Sequence, residues 1–354
     1  MSKLEELLKH VSEHNNFYKK IIKEHNITDP TDITQYPILT RQQLQQNRYN
    51  MFSNGYKSKY FSQQLRRQYS SGSSGIPVNV YWDYKDWYAS NMSLWRKRLQ
   101  WYRIHPTYRY VIFTLNAFNV RFDRTIRYVN NYDNILSVNI SLLHDEAAYK
   151  DVISIINEFN PVWLYIQPFV LNKIINISVK YNLQKPSALK YIESVGELLP
   201  NDLRRRAIEF FGVPLANMYG SEEMNGIAYE CPNHCMHILD DNVLIEVNNE
   251  KGLYSQGEGE AIITNLNNMA MPLIRYNQND KIKVNNTTSC ECGCESRTVD
   301  LIFGRSRESF LLGNVEINSY LLVEVMTEVN NQFNDIIIFY NYIYDQLSGI
   351  LTCN

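Results

Sequence analysis

Between residues 145 and 211 the chain alternates helix-like and strand-like patterns, and no other feature restricts its fold so strongly. Segments 145–158, 168–181 and 200–211 have apolar residues at helical spacing, and the short apolar runs 162–166 and 190–194 lie between them. Strands separated by helix-length segments build an α/β core around a parallel sheet. From 226 onward the period changes to that of strands, with candidates at 243–248, 259–264, 272–276, 281–285 and 298–303. Upstream, Leu4, Leu7, Leu8, Val11, Phe17, Tyr18, Ile21 and Ile22 predict one amphipathic helix over 3–24. Loop and turn follow over 26–47, ending in a short helix that opens with Thr40 as N-cap. A strand is expected at 78–81, a helix over 84–100 and a buried strand at 111–113.

The 354 residues supply ample material for a core, in one large domain or two smaller ones. A net charge of −2, with Lys and Arg scattered, argues against nucleic acid as the main partner. No apolar run is long enough to span a bilayer, which predicts no membrane partner. The opening Met1-Ser2-Lys3-Leu4-Glu5-Glu6 lacks an apolar signal core, so a cytoplasmic location is expected.

Five segments carry candidate chemistry. Tyr69-Ser70-Ser71-Gly72-Ser73-Ser74-Gly75-Ile76-Pro77 is a hydroxyl-rich loop with two glycines. Backbone that approaches a phosphate closely has no room for a Cβ, and successive N–H groups form an anion-binding concavity. It has no Walker lysine, and Gly72-Ser73-Ser74-Gly75 is one residue short of a nucleophile elbow, which removes the serine-hydrolase reading. Gly196-Glu197 stands at a strand-to-helix turn, with Glu near the helix N-terminus. In Tyr219-Gly220-Ser221-Glu222-Glu223 an aromatic face suits a base and a carboxylate suits Mg²⁺; read alone, this is a turn capped by Ser221 into a helix. Pro272 to Asp280 reads as a strand ending in a polar turn, whose carboxylate can accept two hydrogen bonds from a ribose diol. Gly304-Arg305 stands where the last strand pattern ends and suits a hinge.

Five of the six cysteines form two clusters, Cys231 with Cys235 and Cys290 with Cys292 and Cys294, and His234 and His237 fall within the first. In a cytoplasmic chain such clustering favours a metal over disulfides, and Zn²⁺ takes four Cys and His ligands in a tetrahedron. The residues alone leave the choice among these seven open.

In their order along the chain these segments resemble the adenylate-forming superfamily of acyl- and aryl-CoA ligases, and most of all its phenylacetate-CoA ligase branch with the CapK-like proteins. Residues 70–77 are similar to Ser/Thr-Ser-Gly-Ser/Thr-Thr-Gly-x-Pro, with Ser74 for the usual Thr. Val195-Gly196-Glu197-Leu198-Leu199 is similar to the Gly-Glu segment beside adenine. Tyr219 to Glu223 resembles Tyr-Gly-x-Thr-Glu, with Glu222 replacing Thr. Arg275 to Asp280 resembles Arg-Tyr-x-Thr-Gly-Asp, with Gln278 and Asn279 replacing Thr and Gly. Gly304-Arg305 resembles the hinge, and Asn16-Phe17-Tyr18 and Tyr36-Pro37-Ile38-Leu39-Thr40 resemble the branch's opening.

The resemblance implies an α/β fold of mixed sheets. A large AMP-binding domain would cover 1–303, with a zinc-bearing β-rich part about 226–303, and a hinge and partial lid would cover 304–354. It implies ATP-dependent activation of a small carboxylic acid to an acyl- or aryl-adenylate, then transfer to a thiol of CoA or a carrier protein. Ser71, Gly72, Ser73, Ser74 and Gly75 would hold the pyrophosphate oxygens, with Gly196, Glu197, Gly220 and Ser221 completing the nucleotide site. Tyr219 would stack on adenine and Asp280 would hold the ribose. Glu223, ligating Mg²⁺, and Arg305, touching ribose or phosphate on closure, would be the catalytic residues. For zinc the resemblance implies Cys231, His237, Cys290 and Cys292 in a structural site, with Cys235, His234 and Cys294 as substitutes. The family's lid carries a lysine, and no lysine follows Lys283. A second reading is therefore a nucleotide-binding descendant that is non-catalytic or depends on a separate lid-bearing partner. The aromatics Trp82, Trp87, Trp95, Phe113 and Phe118 suit either an aryl pocket or core packing, and assembly stays open, a homodimer included.

Overall fold

The computed structural model describes residues 2–69, 78–114, 128–132, 134–143, 145–286, 290–305, 310–312, 315–317, 342–345 and 350–353. The chain divides into two compact units, Met1–Lys97 with Tyr219–Glu308, and Arg98–Met218 with Ser309–Asn354.

The α/β alternation lies in the second unit. Helices Glu146–Phe159, Pro168–Tyr181 and Asn201–Phe211 alternate with strands Trp163–Ile166, Tyr191–Val195 and Leu215–Ser221, the last of which runs on into the first unit at Tyr219. Parallel neighbours need a crossover of helix length, and these helices supply it. Strands Tyr110–Thr114 and Ile135–Asn139 extend the parallel order, and Tyr128–Tyr132 pairs antiparallel beside them, so the sheet is mixed. Local chemistry sets the helix ends. The Asp145 side chain accepts from the Ala148 N–H, Pro168 opens its helix where no N–H is needed, and Asn160, Asn182 and Gly212 close helices at φ 49°, 51° and 72°. Leu164, Ile166 and Ile192 pack against Val152, Ile156 and Leu171 in one buried core. Phe113 is fully buried there, which accounts for that aromatic as packing.

The first unit is β-rich. Strands Gly252–Tyr254, Val243–Asn249, Gly257–Asn265, Tyr276–Asn285, Thr298–Arg305, Met236–Ile238 and Asn225–Glu230 lie side by side in that order, all antiparallel. Its core joins Val80, Ile227, Ile245, Ile263 and Tyr276 to Trp82, another aromatic accounted for as packing.

Three expectations are corrected here. The single helix over 3–24 is two, Lys3–His14 and Asn16–Glu24, broken at Asn15. Asn15 is fully buried; its carboxamide oxygen accepts from the N–H of Phe17 and Tyr18, and its nitrogen donates to Met51 O and Ser53 Oγ. These bonds offer the backbone an alternative to continuing the helix. The strand expected at 272–276 begins only at Tyr276 and runs unbroken to Asn285, because Arg275 takes φ 49°, outside the β region. Ser221 caps no helix: it ends its strand, Glu222 and Glu223 turn, and Asn225–Glu230 runs back as a strand. The expected short helix does form at Arg41–Gln46, with a reciprocal capping box between Thr40 and Gln43.

Arg275 also ties the chain's opening to this sheet. Leu39 N–H donates to Arg275 O and Asn277 N–H to Leu39 O, each at 2.9 Å, so Leu39 bridges to Tyr276 in parallel. The segment Tyr36 to Thr40 is thereby fixed along the start of the strand that carries Asp280.

Candidate functional site

Segments 219–223 and 275–280 are brought together within the first unit. The Tyr219 hydroxyl donates to Asp280 Oδ2 at 2.7 Å. Gln278 Nε2 donates to Ser221 Oγ, and the Tyr276 hydroxyl donates to Glu223 Oε1 at 3.3 Å. These bonds hold a flat aromatic ring, a hydroxyl and two carboxylates together. Tyr219 is buried and Asp280 half-buried. The left-handed position just before Asp280 is Asn279, at φ 59°. Asn is, after Gly, the residue best suited to that conformation, so Asn279 fits where the resembled pattern has Gly.

Glu223 is 2 % exposed and faces Arg41, whose Nη1 lies 3.4 Å from Glu223 Oε1. A carboxylate this deeply buried needs a partner charge, and Arg41 supplies one. The sequence reading missed Arg41, although it directly follows the quoted Tyr36–Thr40 segment. Glu222 lies on the turn beside it. Its side chain keeps open surface, yet the surrounding protein and the adjacent Glu223 push its pKa up to about 7. Gln68 Nε2 donates to Glu222 Oε2 at 3.2 Å and to Asn225 Oδ1 at 3.0 Å. Arg66, next but one along the same strand, lies over the Trp87 ring at 4.1 Å. Neither Gln68 nor Arg66 carried a signal in the sequence beyond preceding the Ser/Gly loop.

Arg305 is the register partner of Asp280, at the end of the strand Thr298–Arg305. Ser71, Gly72, Ser73, Ser74 and Gly75 lie outside the described residues, as does Phe118. Gly196 and Glu197 belong to the second unit and follow directly on the carboxyl end of the strand Tyr191–Val195, where open α/β sheets bind ligands. Gly196 has φ 80°, a turn that side chains resist. Glu197 accepts from the Phe169 N–H at 3.3 Å, and its pKa is raised, chiefly by desolvation.

The metal cluster is built from two turns and a strand. Cys231, His237, Cys290 and Cys292 bring their donor atoms within 4.8 Å of one another. Cys231 Sγ and Cys290 Sγ are 3.7 Å apart, and Cys292 Sγ is 3.2 Å from His237 Nε2. A tetrahedral ion with Zn–S bonds of about 2.3 Å separates neighbouring sulfurs by about 3.8 Å, so the donor set and its spacing fit zinc. His237 Nδ1 lies 3.1 Å from Ser296 O; a proton there leaves Nε2 as the ligand atom. Gly293 at φ 73° closes the turn between the last two cysteines, its N–H donating to Cys290 O. The backbone N–H of Cys292 lowers the Cys290 pKa, favouring thiolate. Two of the substitutes face other groups, His234 pairing with Glu230 at 2.9 Å and Cys294 Sγ lying 3.3 Å from Lys97 Nζ, whereas the Cys235 thiol adjoins Cys231 and Cys290 and lies 3.8 Å from Asn233 O.

Among the described residues no helix is long and apolar enough to cross a membrane. No protein-family model matches the sequence. No curated protein matches it either. Solved structures do match in fold. 2-Hydroxyisobutyryl-CoA ligase in the postadenylation state superposes with a TM-score of 0.72 at 14 % identity, over 97 % of this chain and 74 % of that one. An open conformation of the same ligase, in complex with 2-HIB-AMP and CoA, gives 0.68 at 16 %, over 99 % and 82 %. The anthranilate CoA ligase AuaEII in complex with anthranoyl-AMP gives 0.53 at 16 %, over 81 % and 55 %. The chain thus has the α/β fold of the large N-terminal domain of adenylate-forming enzymes, and its structural neighbours are acyl- and aryl-CoA ligases of that superfamily.

Proposed function

We propose that this protein activates a small carboxylic acid with ATP, forming an acyl- or aryl-adenylate, and passes the acyl group to a thiol. One observation carries the reading. Segments 219–223 and 275–280 resemble a base platform and a ribose acceptor, and they are joined in space by the 2.7 Å bond from Tyr219 to Asp280. Tyr219 stacks on adenine, Asp280 accepts from the ribose diol, and Gly220 and Ser221 belong to the same nucleotide site. Ser71, Gly72, Ser73, Ser74 and Gly75 hold the departing pyrophosphate.

In the first step a carboxylate oxygen attacks the α-phosphorus and the bond to the bridging oxygen breaks, releasing pyrophosphate. In the second a thiolate attacks the acyl carbonyl and AMP leaves. No protein nucleophile is needed, because positioning and charge stabilisation do the work. Glu223 would hold Mg²⁺, which would neutralise phosphate charge. Arg41 pairs that carboxylate, and Arg305, the register partner of Asp280, would contact ribose or phosphate. The branch is that of phenylacetate-CoA ligase and the CapK-like proteins, and CoA is the first acceptor to try, with a carrier protein next. Cys231, His237, Cys290 and Cys292 hold a structural Zn²⁺; with four protein ligands it has no open position for substrate.

Acid-dependent ATP–pyrophosphate exchange across a panel of aliphatic and aromatic acids tests the reaction. Exchange above background with one acid class is expected. ATP binding without exchange with any acid would refute catalysis by this chain alone. A second reading would then hold, in which the chain binds nucleotide and does not catalyse the exchange by itself.

A further inference from the structure

We infer that the Tyr219 hydroxyl is a positioning group for ribose recognition, beyond the ring's role under the base. The inference rests on the nucleotide site proposed above. A stacking platform needs only a flat face, and Phe would serve as well. Here the phenol is committed: it donates to Asp280 Oδ2 at 2.7 Å, across 61 residues of sequence. A hydrogen bond to a carboxylate at this length is charge-assisted and fixes the acceptor's rotation. The bond to Oδ2 thereby sets the orientation of the whole Asp280 carboxylate.

The backbone around the pair is equally constrained. Tyr219 lies in the strand Leu215–Ser221 and Asp280 in the strand Tyr276–Asn285, and two further bonds, from Gln278 to Ser221 and from Tyr276 to Glu223, flank the first. Asn277 Oδ1 accepts from the Asn279 N–H at 2.7 Å, fixing the left-handed residue of the strand just before Asp280. The phenol therefore couples two parts of the ligand: the base sets the ring, and the ring's hydroxyl sets the carboxylate that reads the sugar. Such pre-organisation strengthens binding by removing the cost of ordering the acceptor. Its loss weakens only ligands that present a ribose diol.

The test is calorimetric titration of the zinc-loaded protein with Mg²⁺-ATP and with Mg²⁺-2′,3′-dideoxy-ATP, for wild type, Tyr219→Phe, Asp280→Ala and the double variant. Wild type should prefer ATP by about tenfold or more, the worth of a hydrogen bond to a charged group. In Tyr219→Phe the preference should shrink by at least about threefold while the dideoxy affinity holds, because the ring remains. In the Asp280→Ala background the added Tyr219→Phe change should leave ATP affinity unaltered. An undiminished preference in Tyr219→Phe overturns the inference and leaves the nucleotide site standing. So does an equal loss for both nucleotides, which would mark a packing role. A wild type that binds neither nucleotide overturns the proposed function and this inference with it.

Discussion

Replacing Arg275 by Met is expected to destabilise the first unit by about 4 kcal/mol, the cost of breaking a buried ion pair. Its guanidinium makes four bonds. Nε and Nη2 donate to the two oxygens of Glu246 at 2.9 and 2.6 Å, and Nη1 donates to the carbonyls of Thr34 and Tyr36 at 3.0 Å each. The side chains of Arg275 and Glu246 are 5 % and 13 % exposed. Met fills a similar volume but leaves a desolvated carboxylate and two carbonyls without these donors. The residue is arginine despite its φ of 49°, a conformation that costs a non-glycine residue roughly 1–2 kcal/mol, which the four bonds offset. The assay is urea unfolding followed by circular dichroism and by tryptophan fluorescence; Trp82, Trp87 and Trp95 lie in this unit and Trp101 and Trp163 in the other, so each transition is fitted separately. Glu246→Gln should cost less, because the fork keeps an acceptor. Adding Glu246→Met to Arg275→Met should cost little more, since the unpaired charge is then gone. A loss under about 1 kcal/mol for Arg275→Met, or strict additivity of the pair, refutes the argument.

Two further outcomes follow from the site. Glu222 titrates near 7 in the folded chain against an ordinary 4.5, so the folded state binds more protons across that window, stability falls as pH rises through it, and the penalty is full above about 7. Glu222→Gln should therefore raise the melting temperature at pH 8 and not at pH 4; an equal rise at both means that burial and Glu223 do not act as described. Chelation should remove one zinc per chain and lower the melting temperature, and Cys290→Ser or His237→Ala should abolish stoichiometric zinc, while Cys235→Ser and Cys294→Ser retain it by elemental analysis; zinc lost from either of the latter pair contradicts the four-residue assignment.

Much of the architecture was legible because period encodes it. The segments between 145 and 211 form helices and strands within a residue or two of their expected bounds, since each helix has an apolar face and ends on a left-handed Asn or Gly. What sequence could not reveal was tertiary. Asn15 breaks a helix through bonds to Met51 and Ser53, far along the chain. Arg275 turns the backbone at a residue type that gives no warning of a positive φ. The site behaves alike. Tyr219, Glu223 and Asp280 were visible as types in a recognisable order, but Arg41, which pairs with Glu223, was not, because a buried carboxylate's counter-charge comes from wherever the fold supplies it. For the metal, composition offered seven donors; folding brings Cys231, His237, Cys290 and Cys292 within 4.8 Å of one another and sets Cys235 beside Cys231 and Cys290, while His234 and Cys294 face other groups.

The central claim is that the site carrying Tyr219 and Asp280 holds a nucleotide. Its most direct test is calorimetric titration of Mg²⁺-ATP into the folded, zinc-loaded wild type and into Asp280→Ala. The account predicts saturable binding by the wild type and at least about tenfold weaker binding by the variant, the loss of a charged acceptor for the ribose. Equal affinity in the two proteins, or no binding by the wild type, would contradict it.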